Sequence, residues 1–407
     1  MVGWKMDEKL SDFLTIDDFK LAGKTVLFRA DINSVVINGK VQMKERIEEN
    51  AKTIRELSDK KAKVVILAHQ SRADRADFMT LEQHAQLLRN FIDLQYIDDI
   101  IGPAARDAIK KLRDGQVLLL ENVRMLAEET LTKSPEKHAK SIFVRTLSPL
   151  ADIYINDAFS VAHRSHASVV GFPMLLDAGI GRLMEKELAS LRRSVHNIKR
   201  PCIYVLGGVK PEEVFDIMEF TLRREKVTHI LTTGNVGTIF LYARGIIEPG
   251  KEEKADEQFI ENLARAKKIL KLGGNKIMCP EDVAVEICGK REEIPVEVLK
   301  PEQEIYDIGE RTSKRYADEI KEAKTVVMKG PAGLYENEEF SKGTGELLRA
   351  LSTSEAYSLI GGGHTSAAMS TLGIKKTAHT HVSLAGGAFL QYLLEKGLPG
   401  IEVLKRH

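Results

Sequence analysis

Short apolar runs alternate with charged, helix-like stretches along almost the whole 407-residue chain. That alternation constrains the fold more than any other feature, because it builds βα units and therefore parallel sheets. Thr25–Arg29 reads as a strand, Lys44–Lys60 as a helix, Lys63–Ala68 as the next strand and Met79–Asn90 as the next helix. Gln116–Leu120 and Asp152–Ile155 continue the rhythm. A second series follows at Cys202–Leu206, His229–Thr232, Lys276–Cys279, Thr325–Met328 and Ala356–Ile360. Near-continuous Val, Ile and Leu in these runs suits strands buried on both faces. Between the two series, Gly181–Lys199 is free of internal Gly and Pro and predicts a connecting helix. The expected class is α/β, with two doubly wound, Rossmann-like parallel-sheet domains joined by a hinge helix. Their expected extents are residues 1–180 and 200–394, with 181–199 between them and 395–407 returning to the first.

Sixty Lys and Arg against 59 Asp and Glu leave a net charge of +1, too little to hold a nucleic acid or an anionic membrane through the global field. Anion binding must come from local clusters. The apolar runs are strand-sized, too short to cross a bilayer, and Met1–Asp12 has no signal-peptide core. Cys202, Cys279 and Cys288 form no C-x-x-C pair. A cytoplasmic protein with no nucleic-acid or membrane partner is expected.

Open α/β sheets bind ligands just beyond the carboxyl ends of their strands. In the first half those positions are rich in Arg and His: Arg29-Ala-Asp31-Ile-Asn33, His69-Gln70-Ser71-Arg72, Glu121-Asn122-Val123-Arg124, and Asn156 through His163-Arg164-Ser165-His166. Any one arginine there is ordinarily a solvated surface group. Four strand ends delivering guanidinium or imidazole to one rim make a pocket for a small, heavily anionic molecule, since Arg forks match phosphate and carboxylate oxygens. In the second half the corresponding positions are glycine-rich: Gly207-Gly208-Val209-Lys210, Thr232-Thr233-Gly234, Lys329-Gly330-Pro331-Ala332-Gly333, Gly361-Gly362-Gly363-His364-Thr365-Ser366 and Ala385-Gly386-Gly387-Ala388. Such turns let backbone N–H groups approach phosphates, and a helix starting at Thr365 would aim its positive end at them. Five in one domain, one with Lys210, favour a nucleotide. His163/His166 and His379/His381 lack a third ligand at suitable spacing and read as structural, so no metal site is expected. Ala22-Gly23-Lys24-Thr25 mimics the end of a P-loop, but Asp18 stands where its first glycine belongs and a strand follows. No G-x-G-x-x-G follows a strand, which removes the main signal for a dinucleotide dehydrogenase.

Taken in order, these segments resemble the phosphoglycerate kinase family, in its archaeal form, from about Lys24 to Val403. The matches are R-x-D-x-N at Arg29–Asn33, Glu45-Arg46-Ile47, H-x-x-R at His69–Arg72, L-L-E-N-x-R at Leu119–Arg124 and N-D-A-F-x-x-A-H-R-x-H at Asn156–His166. Leu183–Leu188 matches the interdomain helix, and L-G-G-x-K, D-I-G-x-x-T (Asp307–Thr312), G-P-x-G-x-x-E (Gly330–Glu336) and G-G-G-H follow. The resemblance implies transfer of a phosphoryl group between 1,3-bisphosphoglycerate and Mg-ADP, giving 3-phosphoglycerate and ATP, with Mg2+ carried by the nucleotide and two domains closing about a hinge. It implies a triose site of Asp31, Asn33, Arg46, His69, Arg72, Arg124 and Arg164. It implies a nucleotide site of Gly207, Gly208, Lys210, Gly234, Lys329, Glu336, Gly361, Gly362, Gly363, His364 and Thr365. Arg46, Lys210, Gly386 and Gly387 would act on the moving group.

Departures concentrate on the nucleotide side. Val214 stands where many members have a second lysine, Lys329 replaces an asparagine, and His364 replaces a magnesium-binding aspartate, a poor exchange for an ion that prefers oxygen. Leu384 and Ala385 replace a threonine and a glycine; Val35 and Ala73 replace prolines. A phosphoglycerate-kinase-like nucleotide- or anion-binding protein of weak or redirected activity is the alternative expectation.

Overall fold

The structure is a computed structural model and describes residues 10–250, 255–383 and 385–406. Most of the N-terminal Met1–Asp12 stretch, and Leu384, lie outside the described residues. The chain divides into two compact units, residues 1–189 with 396–407, and residues 190–395. No helix among the described residues is long and apolar enough to cross a membrane.

In the first unit six strands form one parallel sheet: β1 (Thr25–Arg29), β2 (Lys63–Leu67), β3 (Gln95–Tyr96), β4 (Val117–Leu119), β5 (Ile153–Asn156) and β6 (Asp177–Ile180), in the order β3-β4-β2-β1-β5-β6. Val26, Leu27 and Phe28 of β1 are all fully buried, as a strand covered on both faces requires. The helix Glu45–Asp59 returns the chain from β1 to β2. Its buried Ile47, Ala51, Ile54 and Leu57 recur every three to four residues and pack with Val26, Phe28, Val64 and Ile66. Because β2 lies on one side of β1 and β5 on the other, the loops after these strands diverge and leave a crevice at the sheet's carboxyl edge.

The second unit repeats the plan with β7 (Cys202–Leu206), β8 (His229–Thr232), β9 (Ile277–Met278), β13 (Thr325–Lys329), β14 (Tyr357–Gly361) and β15 (Thr380–Val382), in the order β9-β8-β7-β13-β14-β15. Here the divergence lies between β7 and β13. Between β9 and β13 the chain makes a separate antiparallel sheet from β10 (Asp282–Ile287), β11 (Lys290–Pro295) and β12 (Ile305–Ile308). Both turn residues of its hairpin, Cys288 and Gly289, have positive φ, as a two-residue turn of this hand requires.

Several expected boundaries move. The helix expected over Met79–Asn90 covers only Glu82–Leu88, because the loop after β4 takes the preceding backbone: Leu81 N donates to Glu121 (2.7 Å) and Met79 O accepts from Asn122 Nδ2 (2.9 Å). The strand expected at Lys276–Cys279 is the two residues of β9. The connecting helix runs Arg182–Val195, so the boundary between the units falls inside it. Its last carbonyl, Val195 O, accepts from Lys226 Nζ (3.1 Å), which also pairs with Glu395 where the chain leaves the second unit.

Candidate active site

At the carboxyl edge of the first sheet the side chains are built inward from a buried layer. Arg29, the last residue of β1, is fully buried. It donates from Nε to Ser168 Oγ (2.8 Å), from Nη1 to Ala30 O (2.6 Å) and from Nη2 to His69 Nδ1 (3.1 Å). Just beyond, Asp31 is fixed through its backbone by Asn50: N donates to Asn50 Oδ1 and O accepts from Asn50 Nδ2, both 2.9 Å. Arg46, in the first turn of the helix Glu45–Asp59, places Nη1 3.3 Å from Asp31 Oδ1 and 3.3 Å from Asn33 O. Asn33 Oδ1 in turn accepts from Ser71 N (2.9 Å).

Ser71 holds a left-handed φ of 56°, which costs a non-glycine residue of order 1 kcal/mol or more. That backbone turn offers Ser71 N to Asn33 and Ser71 O to the guanidinium of Arg124. Gln70 ties the same loops together, donating to Ser34 O (2.9 Å) and accepting from Ser34 N (3.0 Å), while its own carbonyl accepts from Asn122 Nδ2 (3.0 Å). Three strand-end loops therefore hold one another.

The electrostatics are those of crowded cations. Burial and the neighbouring Arg29 and Arg164 pull the Arg124 guanidinium down to about 10. Arg164 is lowered too, by burial and by Arg72. Burial, with Arg164 or Arg124 nearby, takes His163 to about 4 and His166 to about 3, so both rings are neutral near pH 7. His69 is lowered well below its usual value by burial and by Arg29, Arg124 and Arg46. Among the described residues the side chains of Arg72 and Arg164 have no hydrogen-bond or ion-pair partner. Guanidinium groups that repel one another and lack carboxylates are stabilised by an incoming polyanion.

In the second unit, glycines at the strand ends divide into two kinds. A Cβ on Gly207 would meet Thr233 Oγ1 at 2.1 Å and Pro331 O at 2.7 Å; one on Gly330 (φ 88°) would meet Gly207 O at 2.2 Å. One on Gly361 would strike the Phe389 ring at 2.2 Å. Amides at these strand ends are committed internally: Gly207 N donates to Lys329 O (2.9 Å), Gly234 N to Ala332 O (3.1 Å) and Gly330 N to Thr365 Oγ1 (2.9 Å). These glycines allow loops to cross closely. Gly363 and Gly386, by contrast, have nothing among the described residues within 4 Å of a built Cβ. They open the helices Gly363–Thr371 and Gly387–Leu393, whose first-turn amides have no intrahelical partner. The first of these helices begins two residues before the expected Thr365. Lys210 is exposed, and among the described residues its ammonium has no partner; Lys329 Nζ pairs with Glu213 (2.9 Å). His364 Nδ1 lies 3.4 Å from Tyr335 Oη, next to the exposed Glu336.

The family model for phosphoglycerate kinase matches residues 16–396. The chain belongs to the phosphoglycerate kinase family. A phosphoglycerate kinase of Methanothermus fervidus is 44% identical over 399 residues, covering 97% of each chain. One of Methanobacterium bryantii is 46% identical over 399 residues, covering 96% of this chain and 97% of the relative. Among solved structures, phosphoglycerate kinase from Pyrococcus horikoshii OT3 superposes with a TM-score of 0.88 at 38% identity, over 96% of this chain and 98% of that one.

Within this family framework, the seven residues expected for the triose site all lie at the carboxyl edge of the first unit's sheet. Asp31, Asn33, Arg46 and Arg124 are joined there through direct bonds or through Ser71. Of the expected nucleotide residues, Gly207, Gly234 and Gly361 have packing roles that spacing alone does not distinguish from ligand contact. Sequence reasoning missed Gln70, Ser71, Asn122, Ser168, Glu129 and Thr344, whose hydroxyl accepts from Ala332 N (2.9 Å) and Gly333 N (3.1 Å). The first three sit inside motifs already quoted, and the signal was the motif as a whole. Ser168, Glu129 and Thr344 carried none.

Proposed function

We propose that the chain catalyses reversible phosphoryl transfer between 1,3-bisphosphoglycerate and Mg-ADP, yielding 3-phosphoglycerate and ATP, with the triose on the first unit and the nucleotide on the second. The observation that carries this reading is the set of arginines at one sheet edge, Arg72 and Arg164 without side-chain partners among the described residues and Arg124 with depressed basicity. Phosphoryl transfer asks a protein for positioning and charge neutralisation more than for covalent chemistry.

Arg72, Arg124 and Arg164 bind the triose phosphate and its carboxylate, while Asp31 and Asn33 orient its polar end. Arg46, held by Asp31 and the Asn33 carbonyl, reaches the oxygens of the moving group. Lys210 takes the nucleotide phosphates, and Glu336 accepts from the ribose hydroxyls. The amides opening the helices at Gly363 and Gly387 face the phosphate chain, where Gly363 and Gly386 leave room for it. His364 is an imidazole beside a phenol, a poor ligand for magnesium, so an ion arriving with the nucleotide would not draw a ligand from this side chain. Transfer needs donor and acceptor within bonding distance of each other, with water excluded. The test is a coupled assay of ATP-dependent phosphorylation of 3-phosphoglycerate by pure protein. Turnover supports the reading; binding of both substrates without turnover refutes it.

A further inference from the structure

His69 stands among Arg29, Arg46, Arg124 and His166, contributed by the end of β1, the helix Glu45–Asp59, the turn after β4 and the loop after β5. Its ring is nearly wholly buried. The atom facing Nδ1 is Arg29 Nη2 at 3.1 Å, and a guanidinium can only donate. Nδ1 is therefore the acceptor, and the neutral ring carries its proton on Nε2. Among the described residues Nε2 has no hydrogen-bond partner.

The hydrogen bonds behind Arg29 have a definite direction as well. Arg29 Nε donates to Ser168 Oγ, so the Ser168 hydroxyl proton is left for Glu129 Oε1 (2.7 Å), and Ser168 N donates to Glu129 Oε2 (2.7 Å). Glu129 is fully buried and lies 3.7 Å from His166. Burial pushes its carboxyl up, with Arg29 and the two Ser168 donors pulling it back. With Nη1 donating to Ala30 O, each of the three nitrogens of the Arg29 guanidinium donates to the protein, and the residue is fully buried, unlike Arg72 and Arg164, whose side chains have no partner among the described residues.

We infer that Arg29 is a positioning residue: backed by Ser168 and Glu129, it holds His69 in the Nε2–H tautomer, so that His69 offers the triose a neutral hydrogen-bond donor. A further cation would add repulsion to a pocket where the arginines already depress one another; a neutral donor adds a directed bond without it. The inference deepens the triose-site reading above and rests on it for the ligand, but not for the tautomer.

The tautomer is read without substrate, by NMR of protein carrying nitrogen-15 in its histidines, with His69 assigned from the His69→Gln variant. In the parent, His69 should remain in the Nε2–H form, unprotonated, from about pH 6 to about pH 8. Arg29→Met should release it to a mixture of tautomers. That variant should raise KM for 3-phosphoglycerate about tenfold, the scale of one hydrogen bond to a charged group, while leaving KM for Mg-ATP unchanged. Should Arg29→Met fail to fold, Ser168→Ala loosens the same guanidinium and is expected to shift tautomer and KM in the same direction, by less. An Nδ1–H ring in the parent, a ring protonated within that range, or a variant with an unaltered tautomer would overturn the inference. An Nε2–H ring in a parent that does not phosphorylate 3-phosphoglycerate leaves the positioning role standing and removes the proposed reaction.

Discussion

Replacing Arg46 by alanine separates the two things that its guanidinium does. In the resting protein it lies 3.3 Å from Asp31 Oδ1, and Asp31 is only 2% exposed. Among the described residues Oδ1 receives no aligned hydrogen bond, and the Arg46 guanidinium is the cation paired with it, so removing Arg46 strands a nearly buried carboxylate oxygen. The cost of an unsatisfied buried polar group is about 1–3 kcal/mol, and Arg46, at 20% side-chain exposure, screens toward the lower end. During transfer the same guanidinium would meet the developing charge on the phosphoryl oxygens. Losing an arginine at that point typically lowers turnover by about 10³-fold or more. Arg46→Ala should therefore be both modestly less stable and about a thousandfold slower. Adding Asp31→Asn removes the stranded charge, so the double variant should regain stability against urea but not turnover. Steady-state kinetics and equilibrium unfolding on the parent and the two variants measure both quantities. If Arg46→Ala kept its kcat and only raised KM, the residue would be binding the ground state, and the transition-state role would be refuted.

The legible part of this chain was whatever repeats with a period or sits in a contiguous motif. The parallel strands around β1 and β7 announce themselves because both faces are covered, so every residue from Val26 to Phe28 or Ile203 to Leu206 must be apolar. β6 (Asp177–Ile180) and β15 (Thr380–Val382) lie at the sheet edges, where such a run is not required, and they escaped notice. The antiparallel sheet was hidden differently. β11, Lys-Arg-Glu-Glu-Ile-Pro, is largely exposed, and its one clear signal was the Cys288-Gly289 turn following the alternating Val283, Val285 and Ile287. At the site, the arginines were visible because four strand ends each carry a guanidinium or an imidazole, a coincidence that ordinary surface arginines do not produce. The residues that hold them were not. Ser168 is a serine among many, and only the fold brings it to a β1 arginine 139 residues earlier in the chain. Glycine was legible as a need for freedom or close approach, but not as to which. Gly207 and Gly363 look alike in sequence, and only the positions of Thr233 and Pro331 tell them apart.

If the triose pocket works by charge, calorimetric titration of 3-phosphoglycerate should show affinity falling as ionic strength rises, because Arg72 is exposed and Arg164 only partly buried. A salt-independent affinity contradicts that mechanism. Asp157, fully buried and accepting from Met184 N at the start of the connecting helix, is pushed up to about 7 by burial. Its ordinary value is 3.8, so its contribution to stability is fully present below about pH 4 and is lost as pH rises through about 7. Asp157→Asn should flatten that part of the stability profile measured by urea unfolding at acid and at mildly alkaline pH; an unchanged slope would show that other groups produce it. The two kinds of glycine make the last test. Gly330→Ala must fit a Cβ 2.2 Å from Gly207 O at a φ of 88°, and should destabilise the second unit by on the order of 3 kcal/mol, lowering Tm with or without ligand. Gly363→Ala meets nothing within 4 Å, so its own Tm should stay close to the parent's. The added methyl would instead occupy space that the phosphates need, and the rise in Tm that Mg-ADP gives the parent should shrink. A Gly363→Ala protein protected by Mg-ADP as fully as the parent would mean that the nucleotide does not approach this helix.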